Sequence, residues 1–123
     1  MDEVESYLES LTPGEADVIR GYYARALALV PEAVPGKKYG MACLTYRERG
    51  LVAIIRTEAG FSLFPFGSEP VALARPLLEG LPTTRGGVQF TADRGVPDAA
   101  YDGMVTWSRN HIDTVLGPPK ASR

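Results

Sequence analysis

The chain has 123 residues, 45% of them hydrophobic, with 13 basic against 15 acidic side chains and a net charge of −2. That length suits one hydrophobic core rather than two, so a single domain over residues 1–116 with a frayed tail at 117–123 is expected. The slightly acidic balance excludes the global basic field that nucleic-acid binding draws on, and no apolar run approaches the ~20 residues of a membrane span.

The first element is a short helix from Asp2 to about Leu11. Asp2 stands as its N-cap, Glu5 follows three residues on, and Val4, Leu8 and Leu11 recur at helical spacing. Thr12-Pro13-Gly14-Glu15 then carries a second start signal: a Thr cap, Pro where no backbone donor is needed, and Glu at the third position. The helix that follows is expected to reach about Val30, burying Ile19, Tyr22, Tyr23, Ala26 and Leu27 and turning Asp17, Arg20 and Arg25 to water. Pro31 and Pro35-Gly36 stop it, and Lys37-Lys38 read as turn residues.

From there the period changes to that of strands. Ala42–Tyr46, Leu51–Arg56 and Phe61–Phe66 are separated by Arg-Glu-Arg-Gly and Thr-Glu-Ala-Gly, segments of hairpin-loop length with glycine where left-handed backbone is often required. In the third run Phe61, Leu63 and Pro65 share one face and Ser62, Phe64 and Phe66 the other, so the second face must be covered or bind something. Val71–Leu81 reads as a helix interrupted at Pro76, Val88–Thr91 as a fourth strand, and the stretch after Pro97 as a closing helix that ends at Gly117-Pro118. Trp107, with Tyr101, Met104 and Ile112, is expected to lie buried against the sheet. The order ααβββαβα predicts an α+β two-layer sandwich, a mostly antiparallel sheet of about four or more strands covered by helices on one face.

Three ordered stretches sharpen this. Tyr39-Gly40-Met41, Gly60-Phe61 through Pro65, and Gly86 through Phe90, followed by the helix after Pro97, resemble the YdhG-like family of small bacterial proteins. Matching members show a Tyr-Gly-Met-Pro turn, a Gly-Phe-Tyr-Pro strand end, a Lys-Gly-Thr-Ile-Gln-Phe strand and a Pro-initiated last helix. This chain departs at Ala42 in place of Pro, Arg85 in place of Lys and Gly87 in place of Thr. The resemblance implies the same two-layer layout and, through the best-described branch of the family, an intracellular iron chaperone of frataxin-like shape.

Candidate chemistry lies in two places. Six acids precede the first base, Arg20, and Asp2, Glu5 and Glu9 recur at helical spacing. Hard carboxylate oxygens suit a weak, exchangeable Fe2+ site, the role the resemblance implies, with an iron-acceptor protein as partner; the same acids also serve the helix dipole and solubility. The second place is the Tyr39-Gly40-Met41 turn with Phe64, Phe66, Arg85 and Gly86, expected to meet at one end of the sheet as aromatic walls, a cation and glycine backbone for a small ligand or a protein partner. The same residues also read as turns and core.

Catalytic motifs are absent from the pattern. Cys43, the one cysteine, sits in an apolar run, and His111, the one histidine, lies late in the last helix, so neither a disulfide nor a Cys/His zinc cluster can form within the chain. The expectation is a non-enzymatic cytoplasmic binding protein, with iron-chaperone kinship leading and a small-molecule or partner-binding module as the alternative. It would work without nucleic acid or membrane, as a monomer or homodimer.

Overall fold

A computed structural model describes residues 2–118. Helices α1 (Glu3–Glu9) and α2 (Pro13–Leu29) precede strands β1 (Val34–Lys38), β2 (Met41–Tyr46), β3 (Arg49–Thr57) and β4 (Gly60–Phe64). Helix α3 (Ser68–Ala74), a 3-10 turn over Arg75–Leu77, strand β5 (Val88–Phe90) and helix α4 (Asp98–Leu116) complete the described chain. The strands form one antiparallel meander in the order β1-β2-β3-β4-β5. The α+β architecture is the one expected, with one strand more. Pro35 and Gly36 do not merely stop α2 but lie within β1, an edge strand, where Pro forfeits no interior ladder bond.

Both helix starts form as their sequences dictate. The Asp2 carboxylate accepts from the Glu5 N–H at 2.8 Å, and Thr12 and Glu15 exchange side-chain and backbone bonds in a complete capping box. Pro76 breaks the third helix as anticipated: α3 stops at Ala74 and the chain tightens into the 3-10 turn. At the far end Gly117, at φ 85°, closes α4; of the frayed tail expected at 117–123, residues 119–123 fall outside those described.

The helices bury one face of the sheet. Leu8, Ile19, Tyr101, Met104 and Val105 pack with Leu44, Ile54, Leu63 and Val88 in one apolar cluster. Between β2 and β3 the register jumps from Leu44↔Val52 to Thr45↔Gly50, a bulge that lets both Leu51 and Val52 join that core. Two tyrosines fill the gap where these strands part. The Ile54 N–H donates to the Tyr23 hydroxyl at 2.9 Å, that hydroxyl donates to the Ala42 carbonyl at 3.4 Å, and the Arg56 N–H donates to the Tyr7 hydroxyl at 2.8 Å. Helix side chains thus satisfy ladder donors that a buried strand would otherwise leave unpaired. No described helix is long and apolar enough to cross a membrane.

Candidate functional site

Five of the six tyrosines place their hydroxyls in hydrogen bonds: Tyr7 and Tyr23 as above, Tyr22 accepting from the Val96 N–H, Tyr46 donating to Asp113, and Tyr101 donating to the Tyr22 carbonyl. Burial raises the pKa of Tyr22, Tyr23 and Tyr101, so each remains a neutral phenol. Tyr39 is the exception. It is 88% exposed, and its ring stacks on Phe66 with centroids 6.0 Å apart.

The backbone explains how that ring is held. Lys38 pairs with Met41 across a two-residue turn, Tyr39-Gly40, at φ 51° and 76°. Tyr46 pairs with Arg49 across a second, Arg47-Glu48, at φ 50° and 66°. Both central residues of a tight hairpin of this kind need left-handed backbone, normally supplied by Asn or Gly. Phe66 is left-handed too, at φ 60°. Each such non-glycine residue costs on the order of 1–2 kcal/mol.

Gly50, expected to relieve the second hairpin, does not carry its left-handed backbone; it gives the Phe66 ring a seat, since a Cβ there would come within 2.8 Å of that ring. In the next hairpin the expectation holds, with Gly60 at φ 150° and room for no Cβ beside the Phe90 carbonyl.

These pieces enclose a cleft of about 480 Å³. Lys38 and Tyr39 line it from the first turn, Glu48, Arg49 and Gly50 from the second hairpin, Phe66 from the segment after β4, and His111, Val115 and Leu116 from the end of α4. Arg47 stands behind the hairpin and ties it to the helix: its guanidinium donates to Asp113 at 2.9 Å and to the Gly117 carbonyl at 2.7 Å. His111 lies exposed with its ring stacked on Trp107, centroids 4.7 Å apart. Trp107 itself is half-buried at the α3 side of α4, donating to Glu69, and not packed into the sheet as its spacing suggested.

The sequence-derived ligand set divides. Gly40 shapes the Tyr39 turn and Met41 opens β2. Tyr39 meets Phe66, whereas the Phe64 ring lies over Gly87, where a Cβ would come within 2.8 Å of it. Gly86 is half-buried beside that second contact, and Arg85 is exposed in the loop before β5. None of Phe64, Arg85 and Gly86 lines the Tyr39 cleft. Phe66, read into the same site as Tyr39, does line the cleft, whereas Lys38, Glu48, Arg49, Gly50 and His111 are among the lining residues that sequence reasoning missed. Two-residue spacing between the strand runs, with Arg-Glu where Asn-Gly is usual, was the available signal.

Two of the three candidate carboxylates at α1 are otherwise engaged. Asp2 serves as the cap, Glu5 lies 3.1 Å from Arg20, and Glu9 is exposed. Among the described residues no group of three or more His, Cys, Asp or Glu side chains is placed to hold a metal ion. Cys43 is fully buried, and burial raises its thiol acidity value away from thiolate formation. A larger cleft, of about 600 Å³, lies between the β3–β4 turn and the Leu81-Pro82 segment. Its cation, Arg94, is tied to the Glu79 carbonyl, and no left-handed non-glycine residue lines it.

No protein-family model matches the chain, and no curated protein matches it in sequence. Among solved structures, the crystal structure of a DUF1801-family protein, YdhG from Bacillus subtilis, is similar at a TM-score of 0.77 and 9% identity, covering 96% of each chain. At that identity the likeness establishes a shared YdhG-like fold.

Proposed function

We propose that this chain is a binding protein whose ligand site is the cleft between the two hairpin turns and the end of α4. One observation carries the reading: Tyr39, Glu48 and Phe66, all lining the cleft, together with Arg47 behind it, are four of the five non-glycine residues with left-handed backbone among the described residues. Strain gathered at one concavity, around an exposed aromatic ring, is the pattern of a surface shaped for a ligand.

The test is a fragment screen followed by backbone amide shifts in two-dimensional NMR. Shifts gathered on residues 38–40, 48–50 and 111–116 are expected. Fragments that bind only elsewhere would remove the proposal.

A second reading, weak Fe2+ holding for delivery to an acceptor protein, follows the frataxin-like side of the resemblance and uses Asp2, Glu5 and Glu9. What supports it is the exposed acid side of α1. It requires Glu5 to leave Arg20 and an acceptor or a second metal-bound group to complete the ligand set, because carboxylates on one short helix surround an ion on one side only. Anaerobic calorimetry with Fe2+ on the native chain and on a D2N/E5Q/E9Q variant tests it; equal heats from the two would eliminate these ligands.

A further inference from the structure

Resting on the cleft reading, we infer that its ligand is a planar aromatic anion, a flat ring system bearing a carboxylate or phosphate. Charge and shape both point there. Lys38 and Arg49 line the cleft, and neither is among the cations that form ion pairs in the described residues. Arginines 20, 25, 47, 56 and 109 all face a carboxylate within 4.0 Å; Lys37, Arg75, Arg85 and Arg94 are likewise outside those pairs but do not line this cleft. Glu48 is the one carboxylate among the lining residues, so the two cations set a positive balance in a chain whose overall charge is negative. An anion entering the cleft supplies the counter-charge that Lys38 and Arg49 lack, and Arg49 presents a planar fork suited to a two-oxygen group.

The aromatic requirement comes from Tyr39. Its ring makes its intramolecular aromatic contact with Phe66 and otherwise stands open, 88% exposed, while the strained turn fixes its direction. A flat ring laid beside Tyr39 gains an offset stack without reordering either protein side chain. Val115 and Leu116, both exposed, supply the apolar floor on the helix side. A volume of about 480 Å³ admits a bicyclic ring with its acid group.

The experiment uses three probes on the full chain, each followed by amide shifts and by the fluorescence of Trp107, the single tryptophan, which stacks on the cleft residue His111. The probes are 2-naphthoate, 2-naphthylmethanol and inorganic phosphate. Naphthoate is expected to shift the cleft amides and to bind about tenfold or more tighter than either other probe. A K38Q/R49Q variant should lose that advantage over the neutral alcohol, and Y39A should lose it over phosphate; Tyr39 and Arg49 are exposed and Lys38 is half-buried, and the amide spectra of both variants report whether the fold is retained.

Equal binding of naphthoate and the alcohol overturns the anion requirement, and equal binding of naphthoate and phosphate overturns the aromatic one. Either result leaves the cleft as a binding site. If the three probes and the fragment screen all leave the cleft amides unmoved, the cleft reading itself falls.

Discussion

At the scale of single residues, buried hydroxyls and left-handed turn positions decide where stability is gained and lost. Tyr23 joins α2 to β3 and β2 through one hydroxyl, and its removal leaves the Ile54 N–H buried and unpaired. Tyr23→Phe is therefore expected to lower stability by about 1–3 kcal/mol in urea unfolding; a change under about 0.3 kcal/mol would mean that the amide finds another partner. The Arg47-Glu48 turn offers an opposed pair. Among the described residues the Glu48 side chain has no hydrogen-bond or ion-pair partner, so Glu48→Gly should relieve the left-handed strain and raise stability by about 0.5–1 kcal/mol, after the greater chain entropy of glycine is offset. Arg47→Gly relieves similar strain but loses the bonds to Asp113 and Gly117, and should lower stability in the same assay. Equal effects of the two substitutions would show that the Arg47 bonds contribute nothing.

At the scale of elements, the start of α2 is coupled to the sheet by Glu15. Its carboxylate completes the capping box and also lies 2.6 Å from Arg56 of β3. The Arg56 hydrogen bond, followed by the Thr12 N–H, holds the Glu15 acid below the ordinary glutamate range. The unfolded chain therefore takes up this proton more readily than the folded one, so the stabilisation is complete above the ordinary glutamate value of about 4.3 and is lost as pH falls through the lower folded value. Urea midpoints for the native chain and E15Q, measured from pH 6 down to pH 3, should differ most at the upper end and converge at the lower. A constant gap across that range would separate Glu15 from the acid sensitivity. Thr12→Ala, which removes the reciprocal half of the cap, should cost about 0.5–2 kcal/mol at neutral pH.

At the scale of the whole molecule, the sheet is closed at one end by the contact between the β2–β3 hairpin and the end of α4. Asp113 receives both the Tyr46 hydroxyl and Arg47, and Arg109 approaches it at 4.0 Å. Asp113→Asn is expected to speed amide exchange over residues 109–116 about tenfold while leaving β3 and β4 protected, because the helix end opens without the core. Uniformly faster exchange would show that this contact secures the entire fold. The β1 edge of the sheet is blunted in its own way, since β1 carries Pro35 and two lysines.

Local grammar was legible in the chain before any tertiary contact. Caps at Asp2 and Thr12, the break at Pro76, and the shared face of Phe61 and Leu63 each depend on neighbours within a few residues, and each formed as read, although β4 ends at Phe64, before Pro65. The ordered Tyr39, Gly60 and Gly86 stretches pointed to the same two-layer layout through their resemblance to the YdhG-like family. Strand β1 escaped notice because Val-Pro-Gly-Lys-Lys has no apolar alternation; pairing with β2 makes it a strand. The cleft was legible only in part, through Tyr39 and Phe66. Tyr39, Gly50 and Phe66 are separated along the chain, and only the packing of one ring on a bare backbone and a second ring on the first brings them together. Tertiary structure also redirected Trp107 toward Glu69 and His111, since helical period gives a direction around an axis and not the neighbour that occupies it.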